Sequence, residues 1–258
     1  MPAVDLTNCD REPIHLLGNV QPFGFLLGVS REWIIIHASQ NVEAFIGTPV
    51  GALLGQPLSA ALSEKAIHDI RGRLQLLSGP DAVERLFRIP LIVGGAPFDL
   101  AVHTTRQAIF IEAEPSPPAD GIEPVSLVRS MLTRVQSAPT FDRFCSEAAR
   151  QLRALIGFDR VMVYRFDQDD AGEVIAESVR PDLVKFLGLH YPATDIPAQA
   201  RILYTRNLLR IIPDIQATPV PIVSDPAYGA EPVDLSMSML RSVSPIHIEY
   251  LGNMGVGA

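Results

Sequence analysis

Cysteine is nearly absent from this 258-residue chain, which holds only Cys9 and Cys145. Two thiols so far apart exclude a disulfide framework and a cysteine-built metal cluster, so each is read by itself. Tryptophan occurs once and aromatics are 7% of residues, yet 47% of the chain is apolar. Mean hydropathy is +0.20, and the length allows two separate cores. No run approaches the roughly 20 apolar residues of a membrane-spanning helix. The N-terminus lacks a basic stretch leading into an apolar one, so no secretory signal is expected and the cytoplasm is the default. Basic residues number 21 against 29 acidic ones, a net charge of −8. That balance argues against a nucleic-acid partner, which is held by excess Lys and Arg. His15, His37, His68, His103 and His190 have no metal-ligand spacing, and no metal is expected.

Residues 1–19 carry no period and read as an extended arm. Apolar runs from Phe23 to Val29 and from Trp33 to Ala38 predict adjacent strands. A helical patch over 41–46, a helix through 64–77 stopped by Gly79-Pro80, and strands over 83–89, 98–104 and 108–114 complete an α+β domain spanning 20–115. His103 alternates within its strand and is expected to face solvent. Clustered prolines from Glu114 to Gly121 mark a linker over 116–124, followed by a second domain over 125–258. There, helices over 125–138 and 140–156 flank Pro139, and a hairpin follows at 161–166 and 173–177. Met162 and Tyr164 share one strand face, and Val174 could reach the same side from the second strand. Phe141, Phe144, Cys145, Ala148, Leu152 and Leu155 recur at helical spacing, so Cys145 is expected in the core. Cys9 instead lies in a polar segment beside Asp10 and Arg11. Arg11 would favour its thiolate and Asp10 would oppose it. The Pro-rich stretch 217–232 has too few periodic positions for regular structure and reads as a long loop, a kind that is usually functional.

The order His190-Tyr191-Pro192-Ala193-Thr194-Asp195-Ile196-Pro197-Ala198-Gln199-Ala200-Arg201 is not one that core packing asks for. Two prolines stiffen the backbone on either side of Asp195 and could present its carbonyl or carboxylate at little entropic cost. Taken alone, the segment fits equally well a turn in which Asp195 caps a helix beginning near Ala198.

Four other segments join it: Asp5 to His15 (DLTNCDREPIH), Gln21-Pro22-Phe23-Gly24, Gly157 to Phe166 (GFDRVMVYRF) and Leu240 to His247 (LRSVSPIH). Together they make the chain resemble the bacteriophytochromes, in register from Asp5 to Val256. It departs from them at Phe23, where they usually have histidine, and at Gly252, where they have arginine. The resemblance implies a PAS domain followed by a GAF domain that would be incomplete at Ala258. It further implies a figure-of-eight knot, in which the 217–232 loop encircles the N-terminal arm, with Ile14, Leu16 and Val20 as candidates for the threaded part. Threading is so rare that it enters only through the resemblance.

The implied function is a red/far-red photoreceptor module, a sensory fragment and not an enzyme, that signals through light-driven double-bond isomerisation. Its cofactor would be the linear tetrapyrrole biliverdin, held by a thioether to Cys9. Such a bilin has an apolar conjugated body, pyrrole N–H donors and two propionates, so its site needs aromatic walls, a fixed acceptor and basic groups. By resemblance, the carbonyl of Asp195 accepts from the ring nitrogens, with Ile196 and Pro197 beside it. His247 lies over the rings. Arg241 and Arg210 pair with propionate, helped by Tyr204, Ser242 and Ser244. Tyr164, Tyr191, Tyr204, Met162 and Val174 border the ring that rotates. The resemblance also implies downstream PHY and output domains in the parent protein, commonly a light-regulated histidine kinase, and leaves a homodimer open. Two alternatives are a small-molecule-binding regulator fused to a kinase or cyclase, and a PAS–GAF dimerisation module without chromophore.

Overall fold

A computed structural model describes residues 12–118, 124–228 and 231–257, so Cys9 lies outside the described residues. The chain divides into two compact units, one running to Pro117 and resuming at Gln199, the other from Pro118 to Ala198. The first begins with β1 (Asn19–Val20), β2 (Phe25–Val29), β3 (Ile35–Ser39), α1 (Val42–Ile46), α2 (Val50–Leu53) and α3 (Glu64–Leu74). It continues with β4 (Val83–Pro90), β5 (Pro97–Thr104) and β6 (Ile109–Pro115). Next come α4 (Pro124–Gln136), α5 (Phe141–Ile156), β7 (Arg160–Phe166), β8 (Gly172–Val179) and β9 (His190–Tyr191). The chain then forms α6 (Ala198–Arg206), β10 (Val220–Ser224) and α7 (Pro245–Asn253). Among the described residues, no helix is long and apolar enough to cross a membrane.

The first unit is a seven-stranded sheet in the order β1-β10-β3-β2-β6-β5-β4, antiparallel at every pair. Every residue of β2 and β3 is buried. Strands covered on both faces are expected to read as continuous apolar runs, as β2 does, while β3 also buries His37 and Ser39. On one face Phe25, Leu27, Val102 and Ile111 pack with Leu53, Leu58 and Ile70 from the helical segment. On the other, Leu26, Ile36 and Phe110 meet Val20, Val233, Leu235 and Leu240. The second face is therefore closed by chain far away in sequence.

Four sequence expectations change. The stretch 217–232 is not all loop, because β10 lies within it and pairs with β3 and β1. Prolines 219 and 221 hide its strand character, and its partners are remote. His103 does not face solvent: it is fully buried and stacks on Phe110, with ring centroids 5.4 Å apart. The expected stripe on α5 is also only partly core, since Cys145 is buried while Phe141, Phe144, Leu152 and Leu155 are exposed. Helix α3 ends at Leu74, short of 77, and Leu76 just beyond it is exposed.

Between the arm and the C-terminal part of the first unit the backbone is stitched repeatedly. Leu235 N donates to His15 O, Gln21 N to Leu240 O, Ser242 N to Asn19 O, and Ile222 N to Gly18 O. Val20 is fully buried, and Ile14 and Leu16 are half-buried. In the second unit, β7, β8 and β9 form an antiparallel sheet, α5 packs against β7 and β8, and α4 packs against α5. Helix α5 starts on Thr140, whose hydroxyl accepts from Arg143 N, and stops at Gly157 in the left-handed region.

Candidate functional site

Six of the expected residues fall in the C-terminal part of the first unit, Tyr204 and Arg210 before β10 and Arg241, Ser242, Ser244 and His247 after it. Ser244 precedes Pro245, which opens α7 with the fixed φ suited to a first helical position. This turn leaves Arg241, Ser242 and Ser244 buried just ahead of the helix and His247 within its first turn. The side-chain amide of Gln21 donates to the carbonyls of Ile211, Met239 and Arg241. Arg210 Nη2 donates to the carbonyls of Arg241 and Ser242, at 3.2 and 3.0 Å. Arg241 Nη1 donates to Ile14 O at 2.9 Å, and Ser244 Oγ donates to the Glu12 carboxylate.

Backbone carbonyls satisfy these guanidinium donors but carry no charge. Arg210 Nη1 and Arg241 Nε are buried and have no hydrogen-bond partner among the described residues. Burial, together with the neighbouring Arg210, pulls the pKa of Arg241 down to about 9, and burial lowers that of Arg210 as well. The Tyr204 phenol acts on both arginines in the opposite sense. His247 is held below its ordinary pKa by burial, then by the charges of Arg210 and Arg241. Two buried guanidinium groups with N–H groups left over, beside a histidine whose protonation they oppose, form a receptor for an anion such as a carboxylate.

The second unit gathers the aromatic candidates. Tyr164 lies 5.1 Å from Phe166 edge-on and 6.0 Å from Tyr191, ring centroid to centroid. Its phenol pKa is raised by burial and then by the charge of Asp195, which keeps the hydroxyl protonated. Asp195 sits in a turn whose N–H donates to Pro192 O, with Ile196 and Pro197 half-buried before α6 begins at Ala198. Val174 pairs with Tyr164 across the ladder and is fully buried, whereas Met162 is partly exposed.

Several participants escaped the sequence reading. Phe166 lies two residues from Tyr164 on one strand, and Tyr250 lies three from His247 on α7, where the rings stack 6.3 Å apart. Their spacing was a usable signal. Glu12 and Gln21 gave none, because their partners lie 190 or more positions away. Gly172 pairs with both Phe166 and Tyr191, and a Cβ there would fall inside the Tyr164 ring. The aromatic group is built around the missing side chain. Gly172→Ala is therefore expected to cost about 1–3 kcal/mol in urea melts. Gly51→Ala, in α2 with open space at the Cβ, should be neutral or mildly stabilising. Equal melts for the two would remove the packing argument.

A family model described as the PAS fold matches residues 9–116. Among curated proteins, the bacteriophytochrome of Xanthomonas campestris pv. campestris is 42% identical over 99% of this chain and 40% of its own length. That of Pseudomonas aeruginosa is 38% identical over 99% of this chain and 35% of its own length. The chain thus spans well under half of these relatives. Among solved structures, the chromophore-binding domain of Stigmatella aurantiaca phytochrome P1 superposes with a TM-score of 0.85 at 41% identity, covering 97% of this chain and 84% of that one.

Proposed function

The chain belongs to the bacteriophytochrome family, a PAS unit followed by GAF elements of a photosensory module, and from that premise we propose that it binds biliverdin covalently and reports light. The observation that carries the proposal is the pair of buried arginines, Arg210 and Arg241, whose spare N–H groups and burial-lowered pKa values call for an anionic partner. The two propionates of a bilin supply such charges. When bound, the bilin contributes a conjugated chain with a double bond that isomerises on absorbing light.

The chain's own residues have separable tasks. Arg241 and Arg210 bind carboxylate, with their directions fixed by Ile14 O and by the carbonyls of residues 241 and 242. His247, stacked on Tyr250, stays largely neutral at pH 7 and can accept as well as donate a hydrogen bond. In the other unit, Tyr164, Tyr191, Phe166, Met162 and Val174 offer apolar walls, and the Asp195 carbonyl offers the fixed acceptor for pyrrole N–H groups. Tyr204, Ser242, Ser244, Ile196 and Pro197 complete the proposed contacts. Cys9 forms the thioether. The stitching of residues 14–21 to 220–222 and 235–242 supports a threaded, knotted path. Downstream PHY and kinase output, a homodimer and a cytoplasmic location belong to the same proposal for the parent protein.

The test is to mix the protein with biliverdin and record its spectrum before and after denaturation. A far-red band that persists in denaturant is expected. A spectrum unchanged from free biliverdin would exclude bilin binding, and a band lost on denaturation would exclude the covalent link.

A further inference from the structure

Beneath the 233–240 segment, the largely apolar second face of the sheet holds a buried carboxyl group. Glu112, on β6, is 2% exposed and receives three hydrogen bonds from one short stretch: Ser238 Oγ at 2.5 Å, Leu240 N at 2.6 Å and Met239 N at 3.1 Å. These bonds end one residue before Arg241. The carbonyls of Met239, Leu240 and Arg241 are in turn gripped by Gln21. The backbone that carries the guanidinium is thus pinned on one side by Glu112 and on the other by Gln21.

The charged and titratable surroundings of Glu112 come from every element packed on it. On β5, His103 Nδ1 lies 3.6 Å away, too far for a hydrogen bond, and both ring nitrogens are buried without hydrogen-bond partners among the described residues. Asp99 and Glu114 line the same small cavity from β5 and β6. Asp234, in the covering segment, acts on His103, and His37 on β3 stacks on the far side of Phe110. Arg85 on β4 is the cation that acts on Glu112, and its guanidinium also meets the Met239 sulfur.

We propose that Glu112 is a positioning residue, a proton-held clasp that keeps residues 238–240 on the sheet and so sets Arg241 for its anion. The proposal rests on the bilin reading for the identity of that anion. In water, the proton of a Glu/His pair would sit on the imidazole. Here burial raises Glu112 to about 7 and lowers His103 to about 4, reversing the order, so His103 cannot neutralise an ionised Glu112. The sign follows from linkage. A closed clasp with a raised carboxyl pKa is fully favoured below the solvated value of 4.5, loses ground as pH rises, and levels off above about 7.

Amide exchange read by NMR on the unliganded protein tests the clasp directly. Protection of Met239 and Leu240 is expected to fall on the order of a hundredfold between pH 5 and pH 8. Glu112→Gln, neutral at every pH, should remove that fall, and wild-type protein should lose biliverdin affinity over the same range while E112Q does not. Should E112Q fold poorly, Ser238→Ala provides a second probe: it deletes a bond favouring the carboxylate and should move the levelling-off to higher pH. Flat protection in wild type, or the same slope in E112Q, overturns the clasp. If wild type binds biliverdin with the E112Q profile, the positioning role falls while the bilin reading stands. No biliverdin uptake at any pH overturns the bilin reading and the positioning role with it.

Discussion

Arg241→Ala is expected to weaken biliverdin uptake roughly ten- to hundredfold, the value of a charge-assisted pair of about 1.5–3 kcal/mol. The guanidinium is buried, directed by Ile14 O, and has an Nε with no partner among the described residues, so a carboxylate reaching it gains a preformed donor. Arg241→Lys should recover little, since an ammonium cannot reproduce the planar fork. The control is Arg71→Ala, an exposed arginine whose guanidinium lies 4.4 Å over the Trp33 ring. Equilibrium titration of biliverdin, with melts to verify folding, measures the effect. Matching affinities for the Arg241 and Arg71 variants would mean that Arg241 serves only the fold.

The second large effect is all-or-none. Cys9→Ser should abolish the covalent adduct and leave reversible binding, because the arginine and aromatic groups are untouched. Cys145→Ser should retain the adduct, since Cys145 is 3% exposed within α5 and shielded from any ligand in solution. Zinc-enhanced fluorescence of the bilin on a denaturing gel reads both variants. A fluorescent band from Cys9→Ser would remove Cys9 from the proposal, and loss of the band in Cys145→Ser would reassign the linkage.

Local signals in the sequence account for much of this architecture. Strands β2 to β6 were readable because their apolar residues follow the two-residue repeat or run unbroken where both faces are covered. Helix α6 was readable because Pro197 stops what precedes it. The candidate residues were legible as motifs, and the burial of Arg241 and Ser244 was not. A side chain's burial depends on what lies over it, and here the cover includes Glu12 and Ile14, more than two hundred positions upstream. His103 misled for the same reason: alternation gives its face of the strand but not the segment 233–240 that closes that face. Strand β10 lacked a signal of its own, since its identity as a strand comes from β3.

That pairing governs the order in which the protein can be made. Ser224 on β10 meets His37 on β3 across 187 residues of chain. During synthesis β3 emerges early and stands as an open sheet edge until the later strand arrives. Closing so long a loop is slow, and an unpaired apolar edge invites association with other nascent chains in the interval. The C-terminal third of the sequence thus acts on the N-terminal domain as a late-arriving protective strand, and yield in the cell should depend on how promptly it is delivered.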